Sequence, residues 1–266
     1  MTNVAAYFTA LCGNFLLSLG FSLQKKHVGW LSAKRRGEKV KNGEIIGWTL
    51  GFILMNVQPI FNYFALGKLA PNIVASIGGS NIIFTIFLSY FLLGEKIKAS
   101  KIPAIVLMAI SLAYAGFVGQ ESSQQFKREA FWIAFFLPTA FAMLVLLGNR
   151  KLSAQHLGMF LGSAAGALGG FMVLCLEALR INHGSDFFSW VFSIYLYVYL
   201  FCGASSFMIK QFAFEKGRMN SVAPTFYGFM VLYPSIATYF VSKVPLHTPQ
   251  LFAYAGISVS IMLLSI

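Results

Sequence analysis

The alternation of long apolar stretches with short polar ones is the feature that most constrains the fold of this chain. A helix needs about 20 apolar residues to cross the roughly 30 Å hydrocarbon core of a bilayer, and it satisfies its own backbone hydrogen bonds there. The sequence therefore predicts an all-α, polytopic membrane protein with nine transmembrane helices. The predicted spans run roughly over residues 3–24, 45–66, 71–93, 102–118, 130–148, 157–179, 187–209, 219–241 and 249–266.

The composition favours the same class. Apolar residues make up 58% of the chain and charged residues 11%, whereas soluble domains have about 45–50% apolar and about 25% charged residues. The polar stretches are too short to hold a separate soluble domain. We therefore expect one integral membrane domain over residues 1–266, with the lipid bilayer as its partner. A plasma or inner membrane is the expected location, and an endomembrane is the alternative.

The net charge of +12 is carried by basic residues that lie between the apolar stretches and form no continuous face. This distribution argues against nucleic acid as a partner and instead predicts the orientation. With the N-terminus outside, fifteen basic residues fall on the inner side and five on the outer side. Because the inner loops of membrane proteins are enriched in Lys and Arg, we expect an outer N-terminus and a cytoplasmic C-terminus.

A short segment recurs along the chain. Residues 62–76 read NYFALGKLAPNIVAS and residues 210–224 read KQFAFEKGRMNSVAP, with six identical positions in register. Each copy joins two predicted spans through a turn that carries a lysine, Lys68 or Lys216. The copies lie five crossings apart and therefore face opposite sides of the membrane. This predicts two inverted repeats of four and five helices, about residues 1–118 and 130–266, as in alternating-access transporters.

The region around the first copy resembles the drug/metabolite transporter superfamily through FNYFALGKLAPNIVASIGGSNIIFTIFLSYFLLGEKI, where Gly94-Glu95-Lys96 fits the closing motif. Through SLGFSLQKKHVG, Ala70-Pro71 and VAPTFYGFM, the chain is most similar to the NIPA-type magnesium transporters. The EamA-type permeases are next, with HVGWLSAKRRGEKVKNGE in place of the second helix of their first half. The resemblance implies transport of Mg²⁺ or, alternatively, of a small organic metabolite such as an amino acid, a drug-like compound or a carboxylate.

Polar residues at helical spacing indicate a candidate pathway. Asn14 and Ser18 share one face of the first span, and Asn81 lies in a similar stripe of the third. Such stripes face protein or water, so interhelical hydrogen bonding without transport is the alternative. Asn62 and Lys210 occupy equivalent positions of the two copies. The predicted pathway residues are Asn14, Ser18, Asn62, Ser80, Asn81, Lys210 and Tyr227.

Proline and glycine inside predicted spans indicate helix breaks, where transporters expose their backbone to substrate. The predicted breaks are Pro59, Gly78, Gly79, Pro138, Pro224 and Pro234. A second pattern is a glycine at every fourth residue of the sixth span, which permits close helix packing. These glycines are Gly158, Gly162, Gly166 and Gly170. We expect them to pack within one chain, and a homodimer seam is the alternative.

Acidic residues give little support for a metal site. Mg²⁺ sites usually offer one or two carboxylates, but only Glu95 and Glu177 come near a predicted core, so the metal ligands are unassigned with these two as candidates. Lys210 lies a few residues inside the basic turn at Lys216. It either snorkels to the surface or contacts an anion, in which case it would repel a cation. Both substrate classes therefore stay open.

Catalytic signatures are missing from the sequence. No paired His or Asp lies in mid-span, and neither a P-loop nor a Cys/His metal spacing is present. These observations argue against an intramembrane enzyme and against a bound cofactor. A non-transporting membrane protein that assists assembly or organises lipid is the remaining alternative, although such a protein would not need an inverted repeat.

The inverted repeat predicts that single cysteines at Lys68 and Lys216 react from opposite sides of the membrane. The experiment uses a background in which Cys12, Cys175 and Cys202 are replaced by Ala. A membrane-impermeant maleimide added to sealed right-side-out vesicles should label Lys68→Cys and spare Lys216→Cys, because the second turn belongs to the inner side. Labelling of both positions from the same side would contradict the repeat.

Overall fold

The structure of the protein is a computed structural model that describes residues 3–66, 77, 80–118, 126–148, 152–184, 187–241, 243 and 247–265, with the side chains of Pro59 and Asn62 among those outside the description. Every regular element in these ranges is a helix. They are α1 (Asn3–His27), α2 (Gly29–Arg35), α3 (Asn42–Leu66), α4 (Ser80–Leu93), α5 (Ile102–Val118), α6 (Arg128–Leu147), α7 (Ala154–His183), α8 (Phe187–Val191), α9 (Ile194–Lys216), α10 (Met219–Val241) and α11 (Thr248–Ser265), with a 3₁₀ turn at Ala99–Lys101.

The described helices confirm the predicted all-α class, since the described ranges contain no strand. The stretches that are long and apolar enough to cross a membrane are Val4–Arg35, Arg128–Leu147 and Ala154–His183. The shorter apolar helices are Ser80–Leu93, Ala99–Ala115 and Thr248–Leu264. Large apolar side chains such as Phe8, Leu147 and Phe192 point outward and are exposed. Apolar helices with this outward face could lie in a membrane.

Helix α1 packs along α3 and against α4. Gly20 and Gly51 let the backbones of α1 and α3 approach, because a Cβ on Gly51 would lie 2.6 Å from the carbonyl oxygen of Gly20. A Cβ on Gly13 would similarly lie 2.7 Å from the Cβ of Phe61. Small residues at helix crossings are a common means of close packing in lipid. The α1–α3 contact holds the polar face of α1 toward the interior of the bundle.

Helix α7 packs against α6, α9 and α10. Its glycine stripe faces α10, since a Cβ on Gly162 would lie 2.7 Å from Thr225 Oγ1 and a Cβ on Gly170 would lie 2.6 Å from the carbonyl oxygen of Met230. Gly166 lies against the backbone of Phe226 in the same way. The prediction that this stripe packs within one chain is confirmed. The same contacts leave no space on that face for a second copy of the chain.

The predicted helix breaks differ from what the structure contains. Helices continue through the four prolines that the sequence predicts as breaks, which are Pro59 in α3, Pro138 in α6, and Pro224 and Pro234 in α10. Gly78 and Gly79 lie outside the described residues. Pro138 has no N–H for the carbonyl of Ala134, and the Tyr233 hydroxyl donates to that carbonyl instead. A donor from α10 thus satisfies the carbonyl oxygen that Pro138 leaves free within α6.

Many basic residues gather at one end of the bundle, which we call the basic end and define by Lys25, Lys34, Arg35, Lys101 and Lys216. Two contacts hold the end of α9: Lys25 Nζ donates to Gly217 O at 2.5 Å, and Arg35 pairs with Glu215. Lys101 Nζ donates to Leu264 O at 2.8 Å. Trp48 Nε1 donates to Gln211 Oε1 at 3.0 Å. The C-terminal ends of α1, α9 and α11 therefore meet the N-terminal ends of α3 and α5 there. At another end of the bundle, Lys127 N donates to Val241 O at 2.8 Å.

The close α7–α10 contact predicts that Gly166→Ala destabilises the protein. The added methyl group would enter the space of the Phe226 backbone, and overpacking of this kind costs about 1–3 kcal/mol. Gly43→Ala in α3 is the matched control, because a Cβ there meets nothing within 4 Å. Chemical unfolding in detergent measures both variants. Equal unfolding free energies for the two would contradict this packing.

Candidate functional site

A polar cluster lies where α1 and α4 face each other. Ser18 and Ser22 of α1 are fully buried. Ser18 Oγ donates to the carbonyl oxygen of Asn81 at 3.0 Å, and Asn14 Nδ2 donates to the carbonyl oxygen of Ile77 at 2.9 Å. These bonds join two helices that are distant in sequence. The polar stripes predicted on the first and third spans therefore meet in the interior of the bundle.

Asn14 is the most connected member of this cluster. Its Nδ2 also lies 3.4 Å from Ser80 Oγ, and its Oδ1 accepts from Gln58 Nε2 of α3 at 3.4 Å. Three helices thus share one amide side chain, which is only 1% exposed. A buried amide needs such partners, because leaving it unpaired is costly. The side chain of Asn62, one helical turn beyond Gln58, lies outside the described residues.

Three buried polar atoms close to this cluster have no hydrogen-bond partner among the described residues. They are Asn81 Oδ1, Thr85 Oγ1 and the Tyr227 hydroxyl. The Tyr227 hydroxyl, which α10 supplies, lies beside the hydroxyls of Thr85 and Ser18 without hydrogen-bond geometry. Each unpartnered buried polar atom costs about 1–3 kcal/mol, so three together require a physical reason. A polar solute or water that binds between α4 and α10 would supply the missing bonds.

Lys210 of α9 points into the bundle rather than to its surface. The residue is 4% exposed, and its Nζ lies 3.8 Å from the ring centroid of Phe21, 5.2 Å from that of Phe226 and 5.5 Å from that of Phe207. The snorkelling interpretation of Lys210 is therefore wrong. Aromatic rings attract the ammonium through their quadrupoles. Within the described part of the chain, no carboxylate forms an ion pair with it.

The aromatic rings connect Lys210 to the polar cluster. Phe21 follows Ser18 by three residues on α1, and its ring centroid lies 6.2 Å from that of Tyr227. Phe226 precedes Tyr227 on α10. The structure thus brings six of the seven predicted pathway residues into one region between α1, α4, α9 and α10. These six are Asn14, Ser18, Ser80, Asn81, Lys210 and Tyr227.

A second buried network lies next to this region and was not predicted. Gln211 Nε2 donates to Gln24 Oε1 at 2.8 Å, and Gln24 Nε2 lies 3.1 Å from Met55 Sδ. Trp48 Nε1 completes the network by donating to Gln211 Oε1 at 3.0 Å. Gln24 lies about 80° around α1 from Asn14 and about 120° from Ser18, so the polar stripe of that helix does not identify it. No pattern in the sequence identifies Gln211 either.

The two carboxylates considered as metal ligands, Glu95 and Glu177, do not lie in a cluster of metal-binding side chains within the described ranges. Both oxygens of Glu95 accept backbone N–H groups at the start of α10, from Met219 at 2.8 Å and from Asn220 at 3.0 Å. This carboxylate caps the positive end of that helix. Glu177 is partly buried on α7. The described ranges hold no group of three or more His, Cys, Asp or Glu side chains that could bind a metal ion.

The basic end closes one side of the region around Lys210. Ser32 of α2 donates to Glu215 Oε1 at 2.5 Å, and Arg35 pairs with the other oxygen of Glu215. Lys25 donates to the carbonyl oxygens of Phe214 and Gly217 at the end of α9. Side chains from α1 and α2 therefore hold the C-terminal end of α9. Any solute that reaches Lys210 from the basic end must pass these contacts.

Comparison of the chain with protein-family models, with curated proteins and with solved structures finds no match. The resemblance to the drug/metabolite transporter superfamily stays a prediction.

The unpartnered Tyr227 hydroxyl predicts an unusual result for a tyrosine substitution in a buried site. Tyr227→Phe should leave the unfolding free energy unchanged or raise it, because no hydrogen bond is lost and a buried polar atom is removed. Tyr233→Phe on the same helix is the matched control, and it should cost about 1 kcal/mol because it removes the bond to Ala134. Chemical unfolding in detergent compares the two. An equal loss in both variants would mean that the Tyr227 hydroxyl is bonded.

Proposed function

We propose that this protein is a multi-pass membrane transporter that moves a small organic anion, such as a carboxylate-bearing metabolite, by alternating access between two inverted repeats. The observation that carries the proposal is Lys210, which is buried without an ion-pair partner among the described residues and lies against Phe21, whose ring also contacts that of Tyr227. A membrane position, nine spans and a cytoplasmic basic end are parts of the same proposal.

One sequence offset supports the inverted repeat. The 148 residues that separate Asn62 from Lys210 also map α1 onto α7, α3 onto α9, α4 onto α10 and α5 onto α11. No gap is needed for any of the four pairs. Helix α6 is the span without a counterpart on this alignment, so the two repeats of four and five helices differ by α6.

Helix contacts support a two-fold relation between the repeats. Helix α1 packs against α3 and α4, and its counterpart α7 packs against α9 and α10. In addition, α4 contacts α10 and α5 contacts α11. A two-fold axis brings the elements that lie on it into contact with their own counterparts. An axis between these two pairs would therefore account for the arrangement, as expected of transporters built from inverted repeats.

The charge of the site favours an anion over Mg²⁺. A buried ammonium is costly unless it is paired, and a carboxylate would pair with Lys210 while accepting a bond from Tyr227. A divalent cation about 6 Å from Lys210 would be repelled by roughly 5 kcal/mol at an effective dielectric constant of about 20. Glu95 already caps α10. No contact of the described residues favours magnesium.

The position of the site between the repeats is what alternating access requires. Repeat one supplies Ser18, Asn81 and Thr85, and repeat two supplies Lys210 and Tyr227. Rocking of one repeat on the other about the α4–α10 and α5–α11 contacts would open the site to either side in turn. On the basic side, opening requires the Ser32–Glu215 and Arg35–Glu215 contacts to break. With that side cytoplasmic, the distribution of Lys and Arg follows the positive-inside rule.

The proposal predicts that Lys210→Met abolishes or strongly weakens anion uptake. Hydrogen bonds to charged groups contribute about 1.5–3 kcal/mol, so the apparent affinity should fall by about 10-fold to 100-fold. The measurement is uptake into proteoliposomes of a labelled panel of monocarboxylates, dicarboxylates and amino acids, together with Mg²⁺, normalised to folded protein. Lys216→Met is the matched control because its side chain is about half exposed at the basic end.

Two results would contradict the anion proposal. One is carboxylate uptake by Lys210→Met at the rate of the parent protein. The other is Mg²⁺ uptake by the parent protein that is preserved or increased in Lys210→Met. That result would favour Mg²⁺ as the substrate. Loss of uptake in Lys216→Met to the same extent would indicate a general effect of surface charge instead.

A further inference from the structure

An apolar groove opens at the basic end between α2, α3 and α9. Its volume is about 430 Å³. The walls are formed by Trp30 and Leu31 of α2, Trp48 of α3, and Phe207, Met208 and Phe212 of α9. Met208 is among the exposed apolar side chains, so the groove is open to the outside of the bundle. Phe207 forms the wall between the groove and the interior region around Lys210, whose Nζ lies 5.5 Å from the centroid of that ring.

Aromatic rings pack against one another and fix the positions of the groove walls. The Trp30 and Trp48 rings meet edge to face at 5.6 Å, and the Trp48 and Phe207 rings do so at 5.9 Å. Phe52 stacks on Trp48 at 5.9 Å and also meets Phe207 edge to face at 5.4 Å. Large rings with two torsion angles lose little freedom when they pack. The groove therefore stays open without an occupant from the described part of the chain.

The rim of the groove is positively charged. Lys34 and Arg35 lie at its edge, and Arg35 pairs with Glu215. Arg36 donates to Glu38 at 2.6 Å, and this hydrogen bond holds the pKa of the Glu38 carboxyl below its ordinary value. The nearby acidic groups are thus already matched by arginines. Lys34 is exposed and forms no ion pair within the described ranges.

We propose that this groove binds an anionic phospholipid, with an acyl chain between Trp30, Trp48 and Phe207 and the headgroup phosphate against Lys34. The proposal rests on the membrane placement that we proposed above. Charge complementarity identifies the occupant. A zwitterionic lipid could fill the apolar walls equally well, but a headgroup with net negative charge gains more from the unmatched Lys34, because no cation of its own offsets the phosphate charge.

The position of the groove fits a lipid at the membrane surface. Tryptophans are enriched at the level of lipid headgroups, and basic residues next to a membrane-spanning helix attract anionic lipids at about 1 kcal/mol per charge. Helix α2 offers Trp30 and Leu31 to the groove and Lys34 and Arg35 to its rim. Gln211 lines the same groove and follows Lys210 directly. A bound lipid would therefore brace α2 against the helix that carries the central lysine.

Fluorescence quenching by brominated lipids tests the proposal. The full chain carries Trp132→Phe and Trp190→Phe, so that Trp30 and Trp48 are its remaining tryptophans. It is reconstituted into phosphatidylcholine vesicles that contain brominated-chain phosphatidylglycerol or the same fraction of brominated-chain phosphatidylcholine. We expect the anionic lipid to quench several-fold more strongly. Excess unbrominated phosphatidylglycerol should reverse the quenching, whereas free glycerol phosphate should not.

Two pairs of variants separate headgroup charge from groove shape. Lys34→Gln should bring quenching by the anionic lipid down to that of phosphatidylcholine, whereas Lys39→Gln, on the same basic segment but outside the groove, should leave it unchanged. Met208→Phe should fill the groove and reduce quenching by both lipids. Leu200→Phe is its control, because Leu200 is exposed on the same helix and does not line the groove.

Several outcomes would overturn the lipid site. Three of them are equal quenching by the two lipids, reversal by glycerol phosphate alone, and equal effects of the two lysine variants. The fourth is absence of quenching in a protein that is dimeric in the vesicles, which would mean that a second copy of the chain occupies the groove. Vesicle flotation is measured first. A folded chain that does not float with the vesicles would overturn the membrane placement as well, whereas a floating chain with unselective quenching would overturn the lipid site alone.

Discussion

A lysine buried inside the bundle without a carboxylate partner among the described residues is the constraint on which the proposed account depends. Contact with aromatic rings returns about 0.5–2 kcal/mol for an ammonium, but taking that charge out of water costs several kcal/mol. The three rings around Lys210 therefore cannot compensate its burial alone. The ammonium form of Lys210 is therefore costly until an anion pairs with it. On the proposed account, a bound anion would offset this cost and would also offer partners to the nearby unpartnered polar atoms.

Residues outside this region make the packing and helix-end contacts that stabilise the fold. Glycines on α1, α3 and α7 bring helix backbones together without using polar side chains. The Tyr233 hydroxyl bonds the carbonyl that Pro138 leaves free, so α6 needs nothing from the interior. Lys25 donates to a carbonyl at the C-terminal end of α9, and Glu95 caps the N-terminal end of α10. These two charged residues thus support helix ends, whereas Lys210 forms no ion pair within the described part of the chain.

Much of the fold follows from local sequence properties. Apolar stretches of membrane-spanning length predicted helices, and the four-residue spacing of Asn14 and Ser18, with a similar polar stripe around Asn81, predicted helix faces turned toward protein or water. What could not be predicted depends on contacts between distant segments. Whether Lys210 snorkels or turns inward is decided by Phe21 and Phe226 on other helices, and the donor for the carbonyl oxygen that Pro138 leaves free is Tyr233 of another helix. The role of Glu95 as a cap also requires the start of α10 to be placed beside it.

The most direct test of the central claim is the distance between Lys210 Nζ and a bound carboxylate. Solid-state NMR can measure this distance in reconstituted protein with ¹⁵N-labelled lysine and the ¹³C-carboxylate that the parent protein takes up fastest, with Lys210→Met to assign the signal. The account predicts an ion-pair distance of about 4 Å or less, together with loss of the close contact between Nζ and Phe21. A bound carboxylate that shows no contact with Lys210, or no bound carboxylate at all, would contradict it.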